Sequence, residues 1–176
     1  LRDFVKQQGL KYFYDVIDDP KGHWVFDPTK GPLKRQHGSH YAGVCHAALP
    51  QKGHTRPGEI LFGTDSHTCM AGAFNEFATG IGNTDAGFVL GTGKLLLKVP
   101  ETMHFRLEGK LQPGVMAKDI ILHCIGEIGF DGATYRAMQF DGSGATELNM
   151  DDRMTVANMA IEAGGKNGIF EFDAQT

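Results

Sequence analysis

The sequence predicts an α/β fold of mainly parallel sheets covered by helices, arranged as two consecutive subdomains. Three observations predict it. Short apolar runs of strand length alternate with helix-length stretches along most of the chain, the order that builds a parallel sheet layered with helices. Residues 103–111, MHFRLEGKL, alternate with period two, with Met103, Phe105 and Leu107 on one face and His104, Arg106 and Glu108 on the other. Glycine is abundant, 24 of 176 residues, or about 14% against an average of about 7%. No collagen-like period accounts for it. Glycines in such number belong in turns, at helix caps and where backbone approaches a ligand.

Residues 1–9 read as an amphipathic helix closed by Gly9, and residues 10–17, LKYFYDVI, have the aromatic and β-branched content of a buried strand. Residues 18–42 hold three prolines, three glycines and the only tryptophan, Trp24, and read as a loop or excursion. GVCHAALP (43–50) opens an ordered segment, and EILF before Gly63 is a short strand. A glycine-containing helix is expected over 71–80 and a second over 85–98, stopped by Pro100. Further on, Ile121, Cys124, Ile125 and Ile128 have the spacing of a helix face. TYRAMQF (134–140) reads as a strand. Asn149 suits a helix N-cap with Asp152 at the third helical position, and Gly164–Gly165 suit its stop. KNGIF (166–170) is a last strand. The pattern changes near residues 99–103, so the two subdomains are placed at 1–101 and 102–176. Both ends fall close to apolar elements, which suggests a segment of a longer enzyme.

Seventeen basic and 21 acidic residues give a net charge of −4. That balance does not suggest a nucleic-acid or anionic-membrane partner, and no apolar run approaches the roughly 20 residues of a membrane span. The three cysteines, Cys45, Cys69 and Cys124, contain no CxxC pair, so neither a disulfide framework nor a four-cysteine zinc site is expected.

The strongest local candidate is Gly63-Thr64-Asp65-Ser66-His67-Thr68. It lies where a strand ends and a helix begins, the position at which open α/β sheets bind ligands. Asp65, Ser66 and His67 place a charge, a hydroxyl and a titratable ring in one turn. The bland alternative is an Asx turn that only caps a helix. His46, after the apolar Val44–Cys45, is expected to point inward at a sheet edge, either as a core histidine or as a functional one. Glu162 sits in the last turn of its helix, where the helix dipole disfavours negative charge unless a cation or histidine pairs with it; a surface glutamate is the alternative. His37-x-x-His40 with His46 has a weak metal-ligand spacing, which solvated loop histidines also explain. The glycines at 80–82 and 91–93 make no phosphate-binding loop. Cys69 follows the site motif, and a buried neutral thiol explains it better than a nucleophile. Ser66 with either histidine has the groups of a serine hydrolase, without its GxSxG elbow.

The blocks GTDSHTCMAGAF, ATGIGNTDAGFVLGTGKLLLKVPETM, GVMAKDIILHCIGEIGFDGATYRAMQF and LNMDDRMTVANMAIEAGGKNGIF resemble the aconitase superfamily. The likeness covers residues 1–17 and 43–176 and is nearest to the branch that isomerises isopropylmalates in leucine biosynthesis; homoaconitase and aconitase are the alternative. It implies aconitase-like α/β/α layers and a hydro-lyase that dehydrates and rehydrates a small hydroxy acid. It also carries functional residues over by motif. The histidine of the GxxH segment is His46, the Asp-Ser-His triplet is Asp65, Ser66 and His67, and the glutamate of NMxxExG is Glu162. The resemblance implies the catalytic pairs His46–Asp65 and His67–Glu162, with Ser66 binding a substrate carboxylate. It further implies a [4Fe–4S] cluster in the full-length enzyme, on one lone cysteine and a CxxC in a later domain. No cysteine here matches those ligands, so no metal is expected on this chain. The base that removes the carbon-bound proton is implied to be a serine on a separate small subunit. On these grounds the 176 residues are expected to be inactive alone. A non-catalytic binding or assembly remnant is the rival from another class. The compartment implied is the cytoplasm, or the plastid stroma in a photosynthetic eukaryote.

Overall fold

A computed structural model of the protein describes residues 1–15 and 43–176 with their side chains, and the backbone of residues 17–27 and 31–40. The chain divides into two compact units, Leu1–Ala48 and Leu49–Thr176.

The first unit opens with α1 (Arg2–Gln8), which Gly9 ends in the left-handed conformation at φ 61°. Residues 10–15, expected to be a buried strand, lie outside any strand, and Tyr12 is 59% exposed. Strand propensity reports packing against neighbours rather than a backbone preference, and no described strand pairs with this segment. The backbone of the expected excursion is paired. Strands β1 (Ile17–Asp27) and β2 (Gly31–His40) run antiparallel, with Ile17 opposite His40 and Trp24 opposite Arg35. The side chains of Trp24, His37 and His40 lie outside the described residues, and with them the metal-spacing reading. The helix α2 (Cys45–Gln51) follows.

The second unit holds two parallel sheets. In the smaller one, β3 (Ile60–Gly63) pairs with β4 (Phe77–Gly80), from Ile60 opposite Phe77 to Gly63 opposite Gly80. The crossover between them carries a 3-10 helix, Ser66–Phe74. That helix begins and ends earlier than the 71–80 helix expected from sequence. Asn75 stops it by adopting a left-handed φ of 59°, and its side-chain amide donates to the Phe170 carbonyl at 2.8 Å. Phe77-Ala-Thr-Gly is thereby released to pair with β3. Next comes α3 (Asn83–Thr92), which Gly93 ends at φ 68°, well before Pro100. A left-handed glycine is a sufficient helix stop by itself.

The larger sheet has the order β5-β6-β7, all parallel. Its strands are β5 (Glu101–Arg106), β6 (Arg136–Asp141) and β7 (Asn167–Phe170). The period-two reading of 103–111 holds from Met103 to Leu107, where Met103, Phe105 and Leu107 pack on the core while His104 and Arg106 face out; the strand ends at Arg106, and Leu111 is exposed. In register, Phe105 lies opposite Phe140 and Phe140 opposite Phe170, and the three rings stack with centroids 5.3 Å apart at each step. Aromatic pairs of this kind contribute about 0.5–1.5 kcal/mol beyond their buried area. Covering the sheet are α4 (Ala117–Ile128), the short α5 (Ser143–Glu147) and α6 (Met150–Asn158). Helix α4 buries Ile121 and Cys124, with Ile125 and Ile128 beside them. Helix α6 starts at the expected cap, where the Asn149 side-chain oxygen accepts from the Asp152 N–H at 3.0 Å. It runs directly into a second 3-10 turn, Met159–Ala163, stopped by Gly164 at φ 80°. The expected subdomain boundary at 101–102 falls inside this unit, at the first residue of β5.

The first 3-10 helix reaches β7 almost backbone to backbone. A Cβ on Gly72 would lie 1.9 Å from the Gly168 carbonyl oxygen and 2.7 Å from Asn167 Oδ1. Gly72→Ala therefore forces this contact apart, and overpacking of this kind costs about 1–3 kcal/mol or more. Chemical denaturation should show that loss; a variant as stable as the parent would refute the close approach. Nearby, Glu76 is 1% exposed, and its Oε2 has no hydrogen-bond partner among the described residues. Burial, reinforced by the Glu59 carboxylate, pushes its carboxyl up to about 7. The unfolded chain gives up this proton near 4.5 and the folded chain near 7. Stability therefore falls as pH rises through that window. Calorimetry from pH 5 to 8 should show a decline in Tm for the parent that Glu76→Gln largely removes; parallel slopes would sink this assignment.

Candidate active site

The Gly63–Thr68 segment leaves the carboxyl end of β3 and enters the 3-10 helix, as the sequence predicts. Asp65 is the N-cap: its Oδ1 accepts from the His67 N–H at 2.8 Å, and its carbonyl accepts from the Thr68 hydroxyl at 2.6 Å. The first of these bonds satisfies a backbone donor that a helix start leaves open. Gly80, at the end of β4, lets the turn pack closely, since a Cβ there would lie 2.7 Å from the Asp65 carbonyl. The turn thus has the capping role of the bland reading and also aims His67 into the protein.

His67 and Glu162 come together. His67 Nε2 lies 3.6 Å from Glu162 Oε1, and the other ring nitrogen, Nδ1, is 3.0 Å from the Asn158 carbonyl oxygen. A carbonyl can only accept, so Nδ1 carries the hydrogen and donates. Nε2 is then the nitrogen that gains or loses a proton, and it faces the carboxylate. The helix end supplies both partners. Asn158 closes α6, where carbonyls lack an α-helical donor, and the 3-10 turn that follows presents Glu162 four residues later. The glutamate's position at a helix end, unfavourable by itself, is offset when the adjacent ring carries a proton on both nitrogens.

His46 lies in the first unit, and Asp65, Ser66, His67 and Glu162 lie in the second. His46 is half-buried in the first turn of α2, with the Cys45 Sγ 3.7 Å from its Nδ1. It is not at a sheet edge as the apolar Val44–Cys45 suggested. HAAL is a good helix-forming run, and Val44 is 60% exposed. Ser66 is the exposed first residue of its helix. Together with Ile161 it lines a cavity of about 290 Å³, so the residues immediately before His67 and Glu162 share one hollow.

Two groups at the site had no expectation attached to them in the sequence. The Asn158 carbonyl is one; a backbone oxygen has no residue signature, and only the helix end before Glu162 could have hinted at it. The other is Lys166, which lines the same cavity. Its signal was the Gly164–Gly165 pair before it, which marks close backbone passage.

The cysteines do not fit an iron–sulfur cluster, whose ligands are thiolates. Cys69 is buried, its thiol donates to the Asn158 carbonyl at 3.4 Å, and burial pushes its pKa up to about 11. Cys124 is buried in α4, where desolvation raises its pKa. Cys45 is exposed in the first unit. Among the described residues no group of three or more His, Cys, Asp and Glu is placed to hold a metal ion. No helix among them is long and apolar enough to cross a membrane.

With this geometry in view, comparison with known proteins identifies the class. A profile of the aconitase family (aconitate hydratase) matches residues 29–176, and the chain belongs to that family. Within it, the chain is 55% identical over all 176 residues to the chloroplastic 3-isopropylmalate dehydratase large subunit of Arabidopsis thaliana. It is 58% identical to the 3-isopropylmalate dehydratase large subunit of Acetivibrio thermocellus, and 49% to the probable one of Methanothermobacter thermautotrophicus. It spans 32% of the first of these proteins and 36% of the other two, so about a third of their length.

Thiol reactivity checks the cysteine assignment. Iodoacetamide at pH 8 should alkylate Cys45 first, with Cys69 and Cys124 protected until the protein unfolds, as read by peptide mass spectrometry. Early labelling of Cys69 in the folded protein would contradict its burial.

Proposed function

We propose that this chain is part of the large subunit of a 3-isopropylmalate dehydratase, a hydro-lyase that interconverts 2- and 3-isopropylmalate by dehydration and rehydration in leucine biosynthesis. The observation that carries the reading is the His67–Glu162 pair, with the ring held by the Asn158 carbonyl, in a chain 45–58% identical to proteins of that name. Dehydration of a hydroxy acid needs a group that exchanges a proton with the leaving hydroxyl. An imidazole with one nitrogen pinned and the other beside a carboxylate suits that task. In this reading His67 and Glu162 handle that proton, and His46 with Asp65 forms the second histidine–carboxylate pair. Ser66 donates to a substrate carboxylate.

The rest of the machinery lies in the whole protein. The [4Fe–4S] cluster is assigned to cysteines beyond these 176 residues, and the carbon-proton base to a small-subunit partner. None of the three cysteines of these residues suits that cluster: two are buried, and none forms a CxxC. The division at residues 101–102 belongs to the same reading, as a boundary between domains of the full-length enzyme. These residues alone are inactive. The compartment is the cytoplasm, or the plastid stroma if the source is a photosynthetic eukaryote.

The test uses the full-length protein assembled anaerobically with its small subunit and offered 2-isopropylmalate, homocitrate and citrate. Alkene formation should follow only the isopropylmalate. Turnover of homocitrate or citrate instead would move the chain to another branch of the family. His67→Ala and Glu162→Gln should each lower kcat by about 10²–10⁴-fold, the usual worth of a positioned acid–base group. Circular dichroism should be unchanged. Near-normal kcat in His67→Ala would refute its catalytic role.

A further inference from the structure

Beside the His67–Glu162 pair, the cavity of about 290 Å³ opens between the carboxyl ends of β3 and β4 and the turn that precedes β7. Its lining includes three hydroxyl residues, Thr64, Ser66 and Thr79, and one basic residue, Lys166. Thr79 is buried, and Gly80, Gly164 and Gly165 line the cavity with bare backbone. Lys166 is half-buried, with its ammonium 4.8 Å from the centre of the Tyr135 ring. This contact orients the ammonium without neutralising it. Its backbone is also fixed, since its N–H donates to the Arg136 carbonyl at 2.8 Å. Among the described residues that line this cavity, Lys166 is the only basic one. A basic residue that lines one cavity with three hydroxyl residues supplies the chemistry of a carboxylate site. The requirement is sharpened by the surroundings. The protein carries a net charge of −4, and Asp65 and Glu162 lie next in sequence to lining residues. A multiply charged acid entering here needs a local cation to offset these carboxylates.

We infer that Lys166, with the Thr64, Ser66 and Thr79 hydroxyls, forms a binding subsite for one carboxylate of a small di- or tricarboxylic acid. Lys166 is thereby a substrate-positioning residue that the sequence motifs do not mark. The inference rests on the hydro-lyase reading for the identity of the acid, and on the cavity for the subsite itself.

The experiment separates the two. In the full-length protein with its small subunit, equilibrium binding of tricarballylate, which has no hydroxyl to eliminate, is measured by calorimetry for the parent, Lys166→Met and Lys166→Arg. Methionine keeps the stem on Tyr135 and removes the charge. The subsite predicts that Lys166→Met weakens binding about tenfold, while Lys166→Arg stays within about threefold of the parent. In turnover, Lys166→Met should raise KM by a similar factor and leave kcat within about threefold, a split that a purely structural role would not produce. Equal tricarballylate affinity in Lys166→Met and the parent would overturn the subsite and leave Lys166 as a counter-charge for Asp65 and Glu162. Absence of tricarballylate binding to the parent would overturn it as well. Charge-dependent binding in a protein that turns over none of the hydroxy acids would uphold the subsite and sink the hydro-lyase reading.

Discussion

The contact on which the second unit depends is the near backbone-to-backbone packing of the 66–74 helix against β7 at Gly72 and Gly168. That closeness leaves no room for a side chain at Gly72. It brings Cys69 and Ala73 into the same core as Phe140, Phe170 and Val156. It also draws the helix start, with His67, against the end of α6. The smaller sheet is tied to the larger one by the same contact, because Asn75 closes the helix and donates to the Phe170 carbonyl. Non-directional apolar burial holds this interface together. The site is a consequence of how far it lets the two backbones approach.

Polar groups at the interface show what that approach costs and what it provides. Asn167 is fully buried, and its amide donates to the Glu76 carbonyl at 3.2 Å, while its own Oδ1 lacks a partner among the described residues. Arg153, 1% exposed, donates to the Leu148 carbonyl at 3.1 Å and to the Asp173 carboxylate. The hydrogen bond from Arg153 holds the Asp173 carboxyl well below the usual carboxylate range. Such a pair is not strong evidence of stability, because desolvation offsets most of its attraction. What it does is fix α6 to the segment after β7, and with α6 the position of the Asn158 carbonyl. That carbonyl takes both the His67 ring and the Cys69 thiol. One backbone oxygen therefore sets a histidine tautomer and accepts from a neighbouring thiol, which burial keeps neutral.

Much of this fold was legible in the residues. The alternation from Met103 to Leu107, the apolar face of α4, the Asn149 cap and the stops at Gly9 and Gly164 are local signals, and each appears in the structure. The misreadings have a common cause. The 66–74 helix was expected later in the chain because its true stop is Asn75, whose left-handed backbone is stabilised by a bond to Phe170, 95 residues away. The aromatic run at 10–15 reads as a strand because its propensity anticipates a neighbouring strand, and no described strand pairs with it. His46 reads as an inward residue at a sheet edge because an apolar pair precedes it; that pair is exposed, and His46 lies in the first turn of a helix.

The sequence by itself determined the family and the chemical types present at the site, since Asp65-Ser66-His67 and Glu162 sit in long, specific motifs. It also determined the local geometry of the 65–68 turn, because an N-cap forms from residues two or three apart. Tertiary structure alone decided which groups meet. His67 and Glu162 are 95 positions apart, and no local rule places them 3.6 Å from one another. Nor does any rule select the Asn158 carbonyl as the acceptor for Nδ1, or bring Lys166 to the cavity that Ser66 lines. Those juxtapositions arise from the packing of one helix on one strand, which depends on volumes and approach distances summed over the whole core rather than on any short run of residues.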